Sequence, residues 1–254
     1  MEQLKETPPG MTQDLKVMPF MEHLKELRTR LVHSLIAVAV GFGVAYAFSE
    51  QIFHVLLLPL LRVMPKDLKL VYTGLPEAFV VYIKVGLIGG AIFASPVVFY
   101  EVWKFVEPGL YHKEKRYAIP FVLAASAFFA IGVSFAYFIA FPFGFQYFLS
   151  FSNDYIQPMI SVREFLEFSM KMLFAFGIVF ELPVFAFFFS KVGLVTGKQL
   201  AAFRRYAIVV IFIVAAILTP PDVFSQCLMA TPLLILYEVS IIVAKVFGKK
   251  PEPE

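Results

Sequence analysis

The sequence predicts an all-α membrane protein of six transmembrane helices, and three observations carry that prediction. Of its 254 residues 59% are hydrophobic and only 16% charged, too little charge to cover a soluble domain of this size. The apolar residues fall in long uncharged runs, the pattern of repeated membrane spans. Short charged loops broken by proline and glycine separate the runs. The most informative is WKFVEPGLYHKEKR, from Trp103 to Arg116, where Pro108-Gly109 ends a helix. Lys104, Lys113, Lys115 and Arg116 stand there beside Glu107 and Glu114. Alone, such a loop is a solvated connector that fixes orientation. A second charged segment, HLKELRTRL from His23 to Leu31, gives it a possible counterpart.

In chain order, residues 1–17 are polar, contain Pro8-Pro9-Gly10 and lack the apolar core of a signal peptide. They are expected to form a disordered tail. One membrane domain is expected over 18–248, with a short tail at 249–254. Met18 to Leu31 predicts an amphipathic helix with Phe20, Leu24, Leu27 and Leu31 on its apolar face and Glu26–Arg30 as an i,i+4 pair. The first span follows at about 30–48, with His33 near its start at the interface. Residues 49–74 carry Pro59 and a short leucine patch, too short to span, which is expected to lie on the membrane surface or cap the spans. The second span is expected at about 77–103. Its Gly86, Gly89 and Gly90 permit close helix approach, and Lys84 can snorkel. The third, about 117–148, has no charge and exceeds the roughly 20 residues that cross a bilayer; Pro120 and Pro142 are candidate kinks.

The fourth span, about 166–190, carries Glu181 followed by Pro183. An ionised acid at the bilayer centre costs about 3 kcal/mol on insertion scales, so such residues mark functional sites by default. Three readings stay open: a helix–helix tie, a proton relay, and a polar notch on an open, lipid-facing surface. The fifth and sixth spans, about 204–219 and 223–244, flank Pro220-Pro221-Asp222. Their uninterrupted apolar cores hold only about 13–16 residues each, below the usual roughly 17–25, which implies local thinning of the bilayer. Short fifth and sixth spans leave little protein over Glu181 and favour the notch.

Charge distribution sets the orientation. The N-terminal arm, the second and fourth loops and the C-terminal tail hold 16 lysines and arginines, against at most 6 on the opposite side. Both termini are therefore expected in the cytoplasm. Enzyme chemistry is not expected. The four histidines, His23, His33, His54 and His112, are not clustered, and no HExxH, GxSxG or phosphate loop occurs. One cysteine, Cys227, leaves no internal disulfide and no cysteine-based zinc site. No metal, cofactor or nucleic-acid partner is expected. A proton-coupled secondary transporter of small solutes is the alternative class, with Glu181 as its proton site. Such transporters carry inverted repeats, and residues 30–116 and 117–246 show no convincing match.

HLKELRTRL at 23–31, FVEPGLYHKEKR at 105–116, FAFGIVFELPVF at 174–185 and LTPPDVFSQ at 218–226 together resemble the TatC family, the multi-span core of the twin-arginine protein translocase. The resemblance covers about residues 18–248. It implies a concave, glove-like six-helix fold in a bacterial-type inner membrane. It also implies binding of twin-arginine signal peptides and, with small single-span subunits of the TatA and TatB type, export of folded proteins by an oligomeric complex that uses the proton gradient. The residues agree, because adjacent arginines need carboxylates that guanidinium can pair bidentately. Glu26 and Glu114 are expected to be those carboxylates, with Arg28 orienting one of them, Phe105 packing on the apolar part of the signal, and Lys115 and Arg116 beside them. Where the family's loop often reads Glu-Arg-Arg, this chain has Glu114-Lys115-Arg116; lysine keeps the charge but lacks arginine's fork. The resemblance also implies that Asp222 and Gln226 contact a partner helix, and the notch reading makes Glu181 a docking point for one. Pro59, Pro108, Pro183, Pro220 and Pro221 are expected to be structural.

Overall fold

The structure, a computed structural model, describes residues 20–65, 69–72, 74–109, 118–153, 155, 158–219 and 222–248. These residues form nine α-helices: α1 (Phe20–Ala47), α2 (Ser49–Val63), α3 (Glu77–Val106), α4 (Ala118–Phe135), α5 (Phe141–Leu149), α6 (Val162–Phe180), α7 (Leu182–Val192), α8 (Gly197–Leu218) and α9 (Val223–Phe247). A 3-10 turn, Glu107–Gly109, extends α3, and a π-helical turn, Ala136–Ala140, joins α4 to α5. Val71 and Ser161 form an isolated parallel β-bridge outside the helices. Six helical segments are long and apolar enough to cross a membrane: Met21–Ala47, Glu77–Val106, Ala118–Leu149, Val162–Val192, Gly197–Leu218 and Val223–Phe247.

The amphipathic segment and the first span are one continuous helix, α1. No proline or glycine interrupts the chain between Phe20 and Gly41, so the helix has no reason to break at the interface. It packs chiefly along α3, where Gly41 lies backbone to backbone against Gly90, and Tyr46 and Ala45 cover Gly86 and Gly89. Only glycine lets two helices approach so closely.

Prolines inside these helices remove N–H donors and orphan the carbonyl four residues earlier. At two of them a nearby hydroxyl supplies the missing donor, as is needed where water is absent. Pro59 in α2 strands the carbonyl of Val55, and the Tyr137 hydroxyl donates to it at 2.6 Å. Pro96 in α3 strands that of Ile92, and the Ser95 hydroxyl donates to it at 2.8 Å. At Pro142 the chain answers differently. The Phe141 N–H bonds the Ala136 carbonyl, closing the π turn just before the proline. The long third span is therefore one apolar segment with a π turn in it. α2 buries Leu56, Pro59 and Leu60 against α3 and α5, the cap expected of that leucine patch.

The second span continues through Glu101 to Val106, so the connecting loop starts later than the sequence suggests. At the opposite end, Lys84 does not snorkel; its Nζ donates to Glu167 at 2.8 Å, and Arg163 Nε joins the same carboxylate at 3.1 Å. Glu77 caps that end by accepting from Ser161 Oγ and the Arg163 N–H, each at 3.1 Å.

The fifth and sixth segments, 22 and 25 residues, are the two shortest of the six. Polar turns extend α8 beyond its apolar core, from the Thr196–Gln199 capping box through Arg205. The α8 backbone thus reaches about 33 Å, enough to cross a bilayer, and only its apolar stretch is short. The α8–α9 hairpin is clasped along its length. Arg204 grips Glu238 with Nε and Nη2 at 2.6 and 2.8 Å, the Tyr237 hydroxyl donates to the Leu200 carbonyl at 2.8 Å, and Gln226 Nε2 donates to the Phe212 carbonyl at 3.0 Å.

Candidate functional site

The charged half of α1 and the last turns of α3 meet at one end of the bundle. Trp103 fixes that end of α3. It is fully buried, with its ring centroid 5.0 Å from Phe121 of α4 and 4.9 Å from Phe188 of α7. One turn of helix spaces Glu101 and Phe105 onto a shared face, which looks onto α1.

On that face Arg30 lies between two carboxylates. Its Nη1 donates to Glu101 Oε2 at 3.2 Å and its Nη2 to Glu26 Oε1 at 3.4 Å. His33 Nδ1 lies 3.5 Å from Glu101 Oε1. The Glu26 and Glu101 side chains are only 17% and 11% exposed, so water screens them weakly. Among the described residues Glu26 Oε2 and Arg30 Nε are buried without a hydrogen-bond partner. One turn further along, His23 stacks on Phe105 with centroids 4.4 Å apart and planes at 16°. Lys104 pairs with Glu107 at 2.9 Å.

The structure thus brings Glu26 and Phe105 into one patch. Glu114, Lys115 and Arg116 lie outside the described residues, as do Pro220 and Pro221. Arg28 is exposed, and among the described residues it makes no ion pair; the arginine that orients Glu26 is Arg30. The reason is helical spacing: residue 30 lies one turn beyond 26 on the side facing α3, and residue 28 points away. Phe105 is half-buried, and His23 covers one face of its ring. Pro108 lies in the 3-10 turn that closes α3. Sequence reasoning missed Glu101 because it lies within the last turn of the expected second span, where nothing local singled it out. Only with the helix running on to Val106 does its spacing to Lys104 and Phe105 mark one face.

Glu181 departs from the expectation of an open notch. It sits at the break between α6 and α7, where Pro183 cannot continue the helical ladder and the Glu181 N–H turns to the Ile178 carbonyl at 3.1 Å. It is 2% exposed, and neither carboxylate oxygen has a hydrogen-bond partner among the described residues; the backbone of Phe129 on α4 is the protein group that bears on it. The physical reason is the tight crossing of α4 on α6. Gly132 lies against the Phe176 carbonyl and Gly177, and Phe129 covers Gly177. The helices close over Glu181 from the α4 side.

An open surface does exist nearby, lined by other residues. A groove of about 410 Å³ runs between the third span, α6 and α9, walled by Phe135, Phe143, Phe148, Phe176, Phe180 and Leu236 among others. Its polar edge is Thr219, Ser225 and Thr231, and the Ser225 hydroxyl is buried without a partner among the described residues. Asp222 caps α9, accepting from the Ser225 N–H at 2.7 Å. Burial is the largest influence on the Asp222 carboxyl and pushes its pKa up. The Ser225 N–H, the Tyr147 hydroxyl and the Phe224 backbone together outweigh it and hold the pKa below the ordinary aspartate value. Tyr147 also stacks on Phe224 at 4.2 Å, tying the hairpin tip to α5. The side chains of Asp222 and Gln226 are thus engaged within the chain.

Six apolar helical segments, a charged patch at one end and an apolar side groove define a multi-pass membrane protein. The profile of the Sec-independent protein translocase protein TatC family matches residues 22–232, and the chain belongs to that family. Over 96% of its length it is 54% identical to the Sec-independent protein translocase protein TatC of Desulforapulum autotrophicum, covering 90% of that protein. It is 42% identical to the protein of the same name from Aquifex aeolicus, over 92% of this chain and 97% of that one. Two crystal structures described as the twin-arginine translocase receptor TatC superimpose with TM-scores of 0.80 and 0.81 at 42% identity. They cover 87% and 88% of this chain, and 97% and 100% of their own.

Proposed function

We propose that this chain is the signal-peptide receptor and membrane core of a twin-arginine protein translocase. The observation that carries the reading is Glu26, a largely buried carboxylate at the charged end of α1 with one oxygen unpartnered. A carboxylate desolvated in this way binds guanidinium far better than an exposed one. Phe105 beside it offers an apolar surface for the residues that follow the arginine pair. Glu114 is the second carboxylate of the site, with Lys115 and Arg116 next to it. The description of the matched crystal structures as receptors of this translocase supports the same reading.

The lysine and arginine distribution supports an orientation with both termini and this patch in the cytoplasm of a bacterial-type inner membrane. Small single-span subunits of the TatA and TatB type are the partners within the membrane. The apolar groove with its Thr219, Ser225 and Thr231 edge is the surface fitted to a partner helix. Glu181 is not among its lining residues.

The test is photo-crosslinking of a synthetic peptide, bearing adjacent arginines ahead of an apolar segment, to the full chain in membranes. Crosslinks to the α1 and α3 ends are expected, with weaker binding by Glu26→Gln and by Glu114→Gln. If both single variants bind like the parent, the site lies elsewhere. Absence of any crosslink together with proton-driven solute uptake would identify a small-molecule transporter instead.

A further inference from the structure

The charge count of the patch on α1 and α3 is unusual. Glu26 and Glu101 share one guanidinium, that of Arg30, while Lys104 is taken up by Glu107. Glu26, Arg30 and Glu101, the three groups that face one another, carry one surplus negative charge. Both contacts to Arg30, at 3.2 and 3.4 Å, are longer than the roughly 2.7–2.9 Å of a closed charge-assisted pair. The guanidinium is shared between the carboxylates and closed on neither. Glu26 keeps its Oε2 unpartnered, and Glu101 is also in contact with His33.

We infer that Glu101 is a specificity-determining positioning residue that works by exchange. When a guanidinium from a ligand reaches Glu26, Arg30 closes onto Glu101 and releases Glu26. Glu101 is built to receive Arg30: it is the more buried of the two carboxylates, and α3, which carries it, is anchored by Trp103. Without Glu101 the patch would be neutral. Arg30 would then stay on Glu26, and an incoming cation would meet a carboxylate already paired and a guanidinium of like charge. The exchange also favours arginine over lysine. The ligand competes with a resident guanidinium for one carboxylate, and an ammonium lacks the planar fork that makes the winning contact bidentate. This inference rests on the reading that Glu26 meets an arginine of the ligand.

A double-variant cycle tests it. The full chain in detergent or nanodiscs is titrated with a fluorescent synthetic peptide carrying adjacent arginines ahead of an apolar segment, and with its adjacent-lysine counterpart. Glu101→Gln is expected to weaken arginine-peptide binding at least tenfold and to narrow the preference over lysine. Adding Arg30→Gln to Glu101→Gln is expected to restore binding to within about threefold of the parent, because the resident competitor is gone. Thermal transitions of each variant establish folding. Should the double variant not fold, Glu101→Gln with Arg30→Lys reads the same coupling, with partial recovery expected and no recovery overturning it. Parent-like binding by Glu101→Gln overturns the inference. So does a loss that persists when Arg30 is also replaced, which would mean that Glu101 touches the ligand itself. Parent-like binding by Glu26→Gln is a separate failure and removes the recognition reading itself.

Discussion

Gly90→Ala is expected to disable the proposed recognition patch from a distance. A Cβ built on Gly90 would stand 2.6 Å from Phe42 Cα and 2.8 Å from the Gly41 carbonyl carbon, and closer still to Phe42 N. These are backbone atoms, so no side chain can rotate aside. Ordinary contact needs about 3.5 Å, and α1 must therefore retreat from α3 by about 1 Å. Overpacking of this kind typically costs about 1–3 kcal/mol. Arg30 and Glu101 lie eleven residues along their helices from Gly41 and Gly90, about 16 Å of stiff helix, so a displacement at the crossing is carried to them. Their contact, already 3.2 Å, would open beyond 4 Å and cease to be an ion pair. Gly43→Ala is the control, since a Cβ there meets nothing within 4 Å. It removes a helix-weakening glycine and is expected to be neutral or stabilising by up to about 1 kcal/mol. Thermal unfolding in detergent and titration with the arginine peptide read both effects. Gly90→Ala with parent-like stability and affinity would refute this account of the seam.

Two further outcomes follow from the polar groups elsewhere. Asp222→Ala is expected to cost about 1 kcal/mol through the lost α9 cap; the folded pKa of Asp222 is lowered, so its contribution is present above the unfolded pKa of about 3.9 and is lost as pH falls through the folded value. Asp222→Asn should flatten that acid limb in a thermal-stability profile between pH 3 and 7, and an unchanged limb would refute the assignment. Glu181→Gln keeps the shape of a buried side chain that has no partner among the described residues, and is expected to retain assembly and protein transport, whereas Glu181→Ala opens a cavity and loses about 1–3 kcal/mol. Transport abolished by Gln with assembly intact would instead establish a proton relay.

The spans were legible because hydropathy needs no knowledge of neighbours, and the close glycine seam because Gly86, Gly89 and Gly90 recur on one span. The Glu26–Arg30 pair was legible because it is local, one helical turn long. Glu101 was not. Its partner is 71 residues away, and no local spacing links the two. Glu181 was legible as a buried acid but not as a covered one. What covers it is the crossing of Gly132 on Gly177, two glycines 45 positions apart whose meeting no periodicity encodes. The hydroxyls of Tyr137 and Ser95 belong to both categories. Any proline in a span announces an orphan carbonyl, but only the fold says that Val55 finds its donor on another helix while Ile92 finds one beside it.

The two helices that carry the patch are held very differently, and this decides which one a ligand can move. α3 is anchored at both ends: Lys84 to Glu167 at 2.8 Å and the Glu77 cap at one, and Trp103 between Phe121 and Phe188 at the other. α1 rests chiefly on α3 along the glycine seam, with Leu31, Leu35, Val40 and Val44 all more than half exposed on its outer side. An exchange that takes Glu26 away from Arg30 therefore acts on the loosely held member. Binding of the arginine peptide is expected to shift α1 about the Gly41–Gly90 contact and to leave α3 in place against α6. Spin labels at Leu31 and Val97 report the first distance, and labels at Val80 and Glu164 the second. The peptide should change the first distribution and leave the second unaltered. A change confined to the α3–α6 pair would mean that α3 responds to the ligand and that the anchors at its ends hold it less firmly than α1 is held along the seam.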